Sequence, residues 1–390
     1  MSTRTGGLAA RVLAAGLALP LAAGAQPTAS DESTQDFMDE IIVAMQVVLP
    51  PSLDEDRFQD PQQRAAILAA LAKLASYGAG LESHGEGGEA GFAFLSHSLA
   101  QDTREVKRRY AAGLYSQARF LLHHVTDVCV ACHSRLPDDS VRPLGRVLIT
   151  DAAVKALPAD ERAQFEMATR QFDAAAISFE ALFADPDASP ADLDLMGPFE
   201  GYLELCLRVR HDPERAIRTF QRFARRDDLP DRVRRNVEAW IASLQQLRDA
   251  PPTGTALEQA RTLISQAQDR DGFPDDRRAL VPFIAASGVL HRYVSTRTHP
   301  DAATGEAYYR LGLIEANVGR TFWASETEHY LEAAIRVGPA EPYADDAFAL
   351  LEEFVVAGYR GSPGTQIPPS VTEHLAALRE LIDSAQGREP

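Results

Sequence analysis

Apolar positions in the first third of the chain recur with the period of a helix. Phe37, Ile41, Ala44, Met45 and Val48 fall at i, i+4, i+7, i+8 and i+11, one stripe of an amphipathic helix. Pro50-Pro51 is expected to stop it. Ile67, Leu68, Leu71, Leu74 and Ala75 mark a second helix, expected to end in the glycines around 78–80. Leu95, Leu99, Val106 and Tyr110 mark a third, broken at Gly113. Ala118, Leu122, Val125, Cys129 and Cys132 share one face of a fourth, which Pro137 is expected to end. Residues 83–89 read as a glycine-rich mobile loop, without the lysine or the strand context of a phosphate-binding loop.

Beyond Pro143 the pattern changes to successive helix pairs. Phe165 to Ala168 leads through Phe172 to Leu182 and then Asp185-Pro186, a helix, a tight turn and a second helix of small and aromatic residues. The stretch from Arg215 to Phe223 repeats the second-helix theme. Tyr308, Leu311 and Gly312, followed by Ala334 and Pro339, give the best match, with Gly319 to Trp323 as a lengthened turn between the two helices. The stretch from Ala347 to Phe354 opens another pair. These units resemble tetratricopeptide repeats, in which stacked helix pairs bury faces that no single pair could cover. The resemblance implies a solenoid that docks a protein or peptide, and the alternative is an array that merely packs on the first part of the chain. The stretch from Ala250 to Gly254 is expected to divide the array.

The chemistry of the chain concentrates at Cys129-Val130-Ala131-Cys132-His133. C-x-x-C-H is the attachment signature of c-type haem. Cysteines three apart on a helix share a face, so both thiols can reach the vinyl groups of one porphyrin. His133 follows directly and can supply the proximal imidazole. A redox dithiol would follow a strand, whereas Phe120 to Val125 reads as helix. A structural zinc would want four ligands, and the remaining cysteine, Cys206, lies far off among leucines and is expected to be a buried thiol.

Four amphipathic helices carrying this motif at the end of the last resemble the cytochrome c′ and cytochrome c-556 family over about residues 34–138. The resemblance implies a four-helix haem bundle with one covalent haem c held by Cys129, Cys132 and His133. It also implies that a first-helix methionine can be the sixth iron ligand, for which Met45 or Met38 would correspond. His97 in the third helix offers a bis-histidine alternative, and an open sixth site would bind small gases. His84 is on the glycine-rich loop, and His123 and His124 flank the cysteine stripe.

Residues 1–25 have the form of a secretory leader. Arg4 and Arg11 precede a short apolar run, and Ala23-Gly24-Ala25 is a small-residue cleavage site. Three regions are therefore expected: a signal peptide over 1–25, a haem four-helix bundle over 26–142 and a helical repeat region over 143–390. Loss of the leader, with its two arginines and no acid, takes the formal charge from −17 to −19. Such a surface repels phosphate backbones and speaks against nucleic acid as a partner, and it would suit a basic redox protein. No membrane span is expected after cleavage. The expected fold class is all-α, a haem bundle followed by an α-solenoid, and the expected function is periplasmic transport of single electrons by one haem. Gas sensing, or assembly scaffolding with structural haem, are the alternatives. No nucleophile elbow, paired carboxylates or metal-protease motif points to an enzyme.

Overall fold

Helix α1 (Thr34–Ser52) starts where side chains take over the unpaired backbone donors of its first turn. Ser33 accepts from the Asp36 N–H, and the Asp36 carboxylate accepts from the Ser33 N–H at 2.9 Å. The chain is described here from a computed structural model covering residues 33–85, 88–135, 143–195, 197–269, 277–318, 326–361 and 364–388. The expected leader, residues 1–25, lies outside the described residues, as do Pro137 and the turn at 319–323. Nearly all of what is described is helical; the exception is a hairpin of two residues per strand, β1 (Arg360–Gly361) against β2 (Gly364–Thr365).

The expected stop at Pro50-Pro51 comes late. Helix α1 runs through both prolines to Ser52, and both rings are buried. In the last turn the Ser52 carbonyl accepts from Arg119 Nε at 2.7 Å, so the helix end is closed by a side chain of a distant segment. After the short α2 (Glu55–Gln59) comes α3 (Arg64–Gly85), which passes straight through the glycines expected to end it and takes in Ser83 to Gly85 of the expected loop. Those glycines mark close approaches between helices. A Cβ on Gly78 would lie 2.9 Å from Thr103 Oγ1 and 3.4 Å from Ala100 Cα, and one on Gly80 would meet the Phe37 ring. By contrast, Gly113 ends α4 (Ala90–Ala111) as expected. It adopts φ +77°, and the N–H groups of Gly113 and Leu114 donate to the Tyr110 and Arg109 carbonyls. That is a left-handed glycine closing the helix end.

The Gly78 notch gives a test in which two effects oppose. Alanine gains about 1 kcal/mol of helix propensity over glycine. Overpacking a tight helix contact costs about 1–3 kcal/mol, and here the obstructing hydroxyl is itself buried and bonded to the Leu99 carbonyl at 2.7 Å. Gly78→Ala is expected to lower stability by about 1 kcal/mol in urea unfolding; a gain would mean that α3 and α4 can move apart freely.

Helix α5 (Tyr115–His133) follows, and α3 packs between α1 and α4 while α4 packs between α3 and α5. Short turns reverse the chain each time, so the helix ends collect in two groups. One end holds Ser52, Phe58, Arg64, Tyr110 and Arg119, where the Tyr110 hydroxyl donates to the Phe58 carbonyl at 3.0 Å. The other holds Phe37 and His84, whose rings are 5.9 Å apart, the first turn of α4, and the last turn of α5 with its cysteines. Their shared core includes Met45, Val48, Leu71, Leu74, Val106, Leu122 and Val125. Among the described residues α3 alone is long and apolar enough to cross a bilayer, contrary to the expectation of no such stretch, and its apolar face is buried between α1 and α4.

Further helices follow in sequence: α6 (Pro143–Ile149), α7 (Ala152–Lys155), α8 (Ala159–Ala168), α9 (Phe172–Ala184), α10 (Pro190–Leu195), α11 (Pro198–Glu204), a π-helical turn at Leu205–Val209, α12 (Pro213–Phe223) and α13 (Asp231–Asp249). Then come α14 (Ala256–Gln268), α15 (Leu280–Val294), α16 (Ala302–Val318), α17 (Thr327–Val337), α18 (Tyr343–Gly358) and α19 (Pro369–Ala385). Neighbours in sequence pack as neighbours in space: α8 on α9, α12 on α13, α14 on α15, α16 on α17, α17 on α18. The tight turn between α8 and α9 is made by Arg170 at φ 58°.

Two hydrophobic clusters result. The first draws on α1–α5 but also takes Leu148, Val154 and Phe165 from beyond residue 142. The second runs from Ala163 to Ile382, and it continues across the segment expected to divide it, since Leu244 and Ala260 both belong to it. Its densest part is aromatic, with Phe183, Phe199, Tyr202, Phe220, Phe223 and Trp240 in mutual ring contact. Cys206 is buried within this cluster.

Candidate functional site

Cys129, Cys132 and His133 lie on the last turns of α5, capped by Ser134, whose N–H donates to the Val130 carbonyl at 2.9 Å. The helix continues the apolar stripe of Ala118, Leu122 and Val125, so its own core contacts aim the cysteines. Both thiols pack on the edge of the first cluster, while Val130 packs on the second. The motif therefore sits on the seam between the two.

The residues fit a haem joined by two thioethers. The cysteines are free thiols rather than a disulfide, and they share a helical face, partly accessible and otherwise packed against the first cluster. Enclosure pushes Cys129 up to about 12 and Cys132 up to about 11, so both hold their protons. A reactive dithiol needs the thiolate and is found where the pKa is depressed. Among the described residues no three His, Cys, Asp or Glu side chains converge in a way that could hold a bare metal ion. A haem brings its own four nitrogens and asks the chain only for axial donors.

The candidate sixth ligands are spread widely. Met38 is in the first turns of α1, at the end where α5 finishes, and is partly buried. Met45 is deep in the core and seven residues further on, about 10 Å along the axis toward the far end. His97 is turned outward, its side chain 54% exposed and its Nδ1 2.5 Å from Glu82 Oε1. His123 is exposed. His124 lies between Asp127 at 3.5 Å and Asp102 at 3.8 Å, and its hydrogen bond to Asp127 holds its pKa above the usual histidine value. His84 belongs to α3, and its ring is tilted against that of Phe37.

Sequence reasoning missed what surrounds Cys132. Arg135, two residues past the motif, is ion-paired with Glu326 and lies 3.4 Å from Glu315. Arg208, its side chain 2% exposed, reaches Glu204 at 2.7 Å, Ser287 Oγ at 2.8 Å and Glu315 at 3.7 Å. Burial, with Glu315 and Glu89 nearby, pushes the Glu326 carboxyl above its usual range although Arg135 pulls it down. Tyr330 and His291 complete the group, both buried, their rings 6.2 Å apart. The Tyr330 hydroxyl and His291 Nε2 have no hydrogen-bond partner.

The first turn of α4 docks on the same group. The Ala90 N–H donates to the Tyr308 hydroxyl at 3.3 Å, His329 Nε2 lies 2.5 Å from the Ala90 carbonyl oxygen, and Gly91 leaves the room that the Tyr330 hydroxyl occupies. No spacing rule links these residues, because they come from helices far apart in the chain. The only local sign was Arg135 itself, a charge immediately after an apolar motif.

Away from this seam, a depression of about 520 Å³ opens between α9 and α12, lined by Glu180, Phe183, Thr219, Arg222 and Phe223. No protein-family model, curated protein or solved structure matches the chain.

Proposed function

We propose that this chain is an exported, periplasmic monohaem c-type cytochrome. On this reading α1, α3, α4 and α5 form a haem bundle similar to cytochrome c′ and cytochrome c-556, and the later helix pairs form a tetratricopeptide-like array that docks a redox partner protein. The observation that carries it is the pair of free thiols on one face of α5, followed at once by His133. Each thiol S–H would add across a vinyl group, forming a C–S bond while the hydrogen goes to the neighbouring carbon, with no net oxidation. The haem supplies a one-electron iron couple when bound. Cys129 and Cys132 tether it, His133 orients it, and the apolar wall of the first cluster keeps water from one side.

The test is an optical spectrum of the purified protein, made with haem-attachment machinery, oxidised and reduced. A c-type α band in the reduced protein is expected, and its absence ends the reading.

A further inference from the structure

We propose that His291, carried by the helical array, is the imidazole that closes the sixth position of the iron held by Cys129, Cys132 and His133. The inference rests on the haem reading above and assigns the ligand that the first helices leave open.

Three observations carry it. The first is the uncommitted nitrogen. His97 is bonded to Glu82, His124 to Asp127, His211 to the Leu207 carbonyl, His329 to the Ala90 carbonyl and His374 to Glu332. His291 is only 4% exposed, and its Nε2 is enclosed without a partner. A buried polar atom of this kind calls for an explanation, and a role in binding a ligand is one.

The second is position. His291 lies one turn beyond Ser287 on α15, the Ser287 Oγ accepts from Arg208 Nε at 2.8 Å, and Arg208 and Arg135 share Glu315 at 3.7 and 3.4 Å, Arg135 being two residues beyond His133. The Tyr330 hydroxyl, also without a partner, belongs to the same enclosure. The third is chemistry. Imidazole is the commonest side-chain ligand of a metal, and this one keeps a ring nitrogen enclosed and uncommitted. Met45 sits in the middle of the first core and His97 faces outward.

Ligation by His291 would make the haem a staple across the seam, with one axial ligand from each side. Bis-histidine iron is low-spin and closed to small gases. The experiment compares the wild-type protein with His291→Ala, His291→Met and Met38→Leu, each with covalently retained haem checked on a denaturing gel. The wild type is expected to be six-coordinate and not to take up CO. His291→Ala is expected to become high-spin and bind CO stoichiometrically, and added imidazole is expected to restore the low-spin spectrum, which also reports an intact fold. Should that variant not fold, His291→Met is expected to stay six-coordinate with a thioether-type spectrum and a raised potential. Met38→Leu is expected to leave the spectrum unchanged.

A five-coordinate wild type, His291 variants with the wild-type spectrum, or opening of the iron by Met38→Leu would each overturn the proposal. Loss of haem from the denatured wild type is a different failure, that of the haem reading itself.

Discussion

Arg135→Met is expected to cost about 3–5 kcal/mol of stability near neutral pH, because it removes one partner of a buried ion pair and leaves the other uncompensated. The Arg135 side chain is 13% exposed, Glu326 1% and Glu315 10%. Without the guanidinium, two carboxylates face each other out of water with Arg208 as their remaining cation. The effect is expected to depend on pH. Burial already raises the folded-state pKa of Glu326 above its ordinary value of 4.5, and losing Arg135 raises it further. A raised folded-state pKa contributes stability below the unfolded value and loses it as pH climbs through the folded one. Both proteins lose this stability alike up to the wild-type folded pKa of Glu326, about 8, so the deficit of Arg135→Met relative to wild type is expected to grow as pH rises through and above that value. Urea unfolding at a series of pH values measures this, and a deficit that is flat across the range would contradict it. The double variant Arg135→Met with Glu326→Leu is expected to recover most of the loss, since an apolar pair of similar volume replaces a buried ionic one at little cost.

Trp240→Ala is expected to cost about 3–5 kcal/mol, the usual range for emptying an aromatic site in a closed core. Trp240 is fully buried, its ring lies 5.4 Å from Phe199 and 5.6 Å from Phe220, and its indole N–H donates to the Arg277 carbonyl at 2.7 Å. Truncation opens a cavity among aromatic rings and strands that buried carbonyl. Trp240→Phe keeps the packing and loses only the hydrogen bond, so it is expected to cost about 1 kcal/mol from that bond together with a smaller packing loss. Unfolding followed by far-ultraviolet circular dichroism gives both values. Equal losses for the two variants would mean that the ring is not packed as described.

How legible this was differs by element, and the reasons are physical. Helical period alone placed Val48, Leu71, Val106, Leu122 and Val125 in one core, because a stripe that repeats at 3.6 residues has only one face to bury. Gly113 could be read as a helix end because its positive φ is a property of the residue and its turn. Gly78 and Gly80 were misread because their reason lies on other helices: Thr103 and Phe37 come too close for a Cβ. Pro50 and Pro51 were misread for a related reason, since their burial and the Arg119 bond that closes the helix end are both tertiary. Cys129, Cys132 and His133 were legible as a candidate site because their spacing is local chemistry. The buried charges beside them were not, since Glu326, the partner of Arg135, stands far along the chain at the start of α17.

The central claim is covalent haem at one pair of cysteines, and thiol counting on mature protein tests it most directly. The chain has three cysteines. After denaturation and exhaustive alkylation, the account predicts one modified thiol, at Cys206, with haem colour migrating with the polypeptide. Three modified thiols on a colourless chain would contradict it.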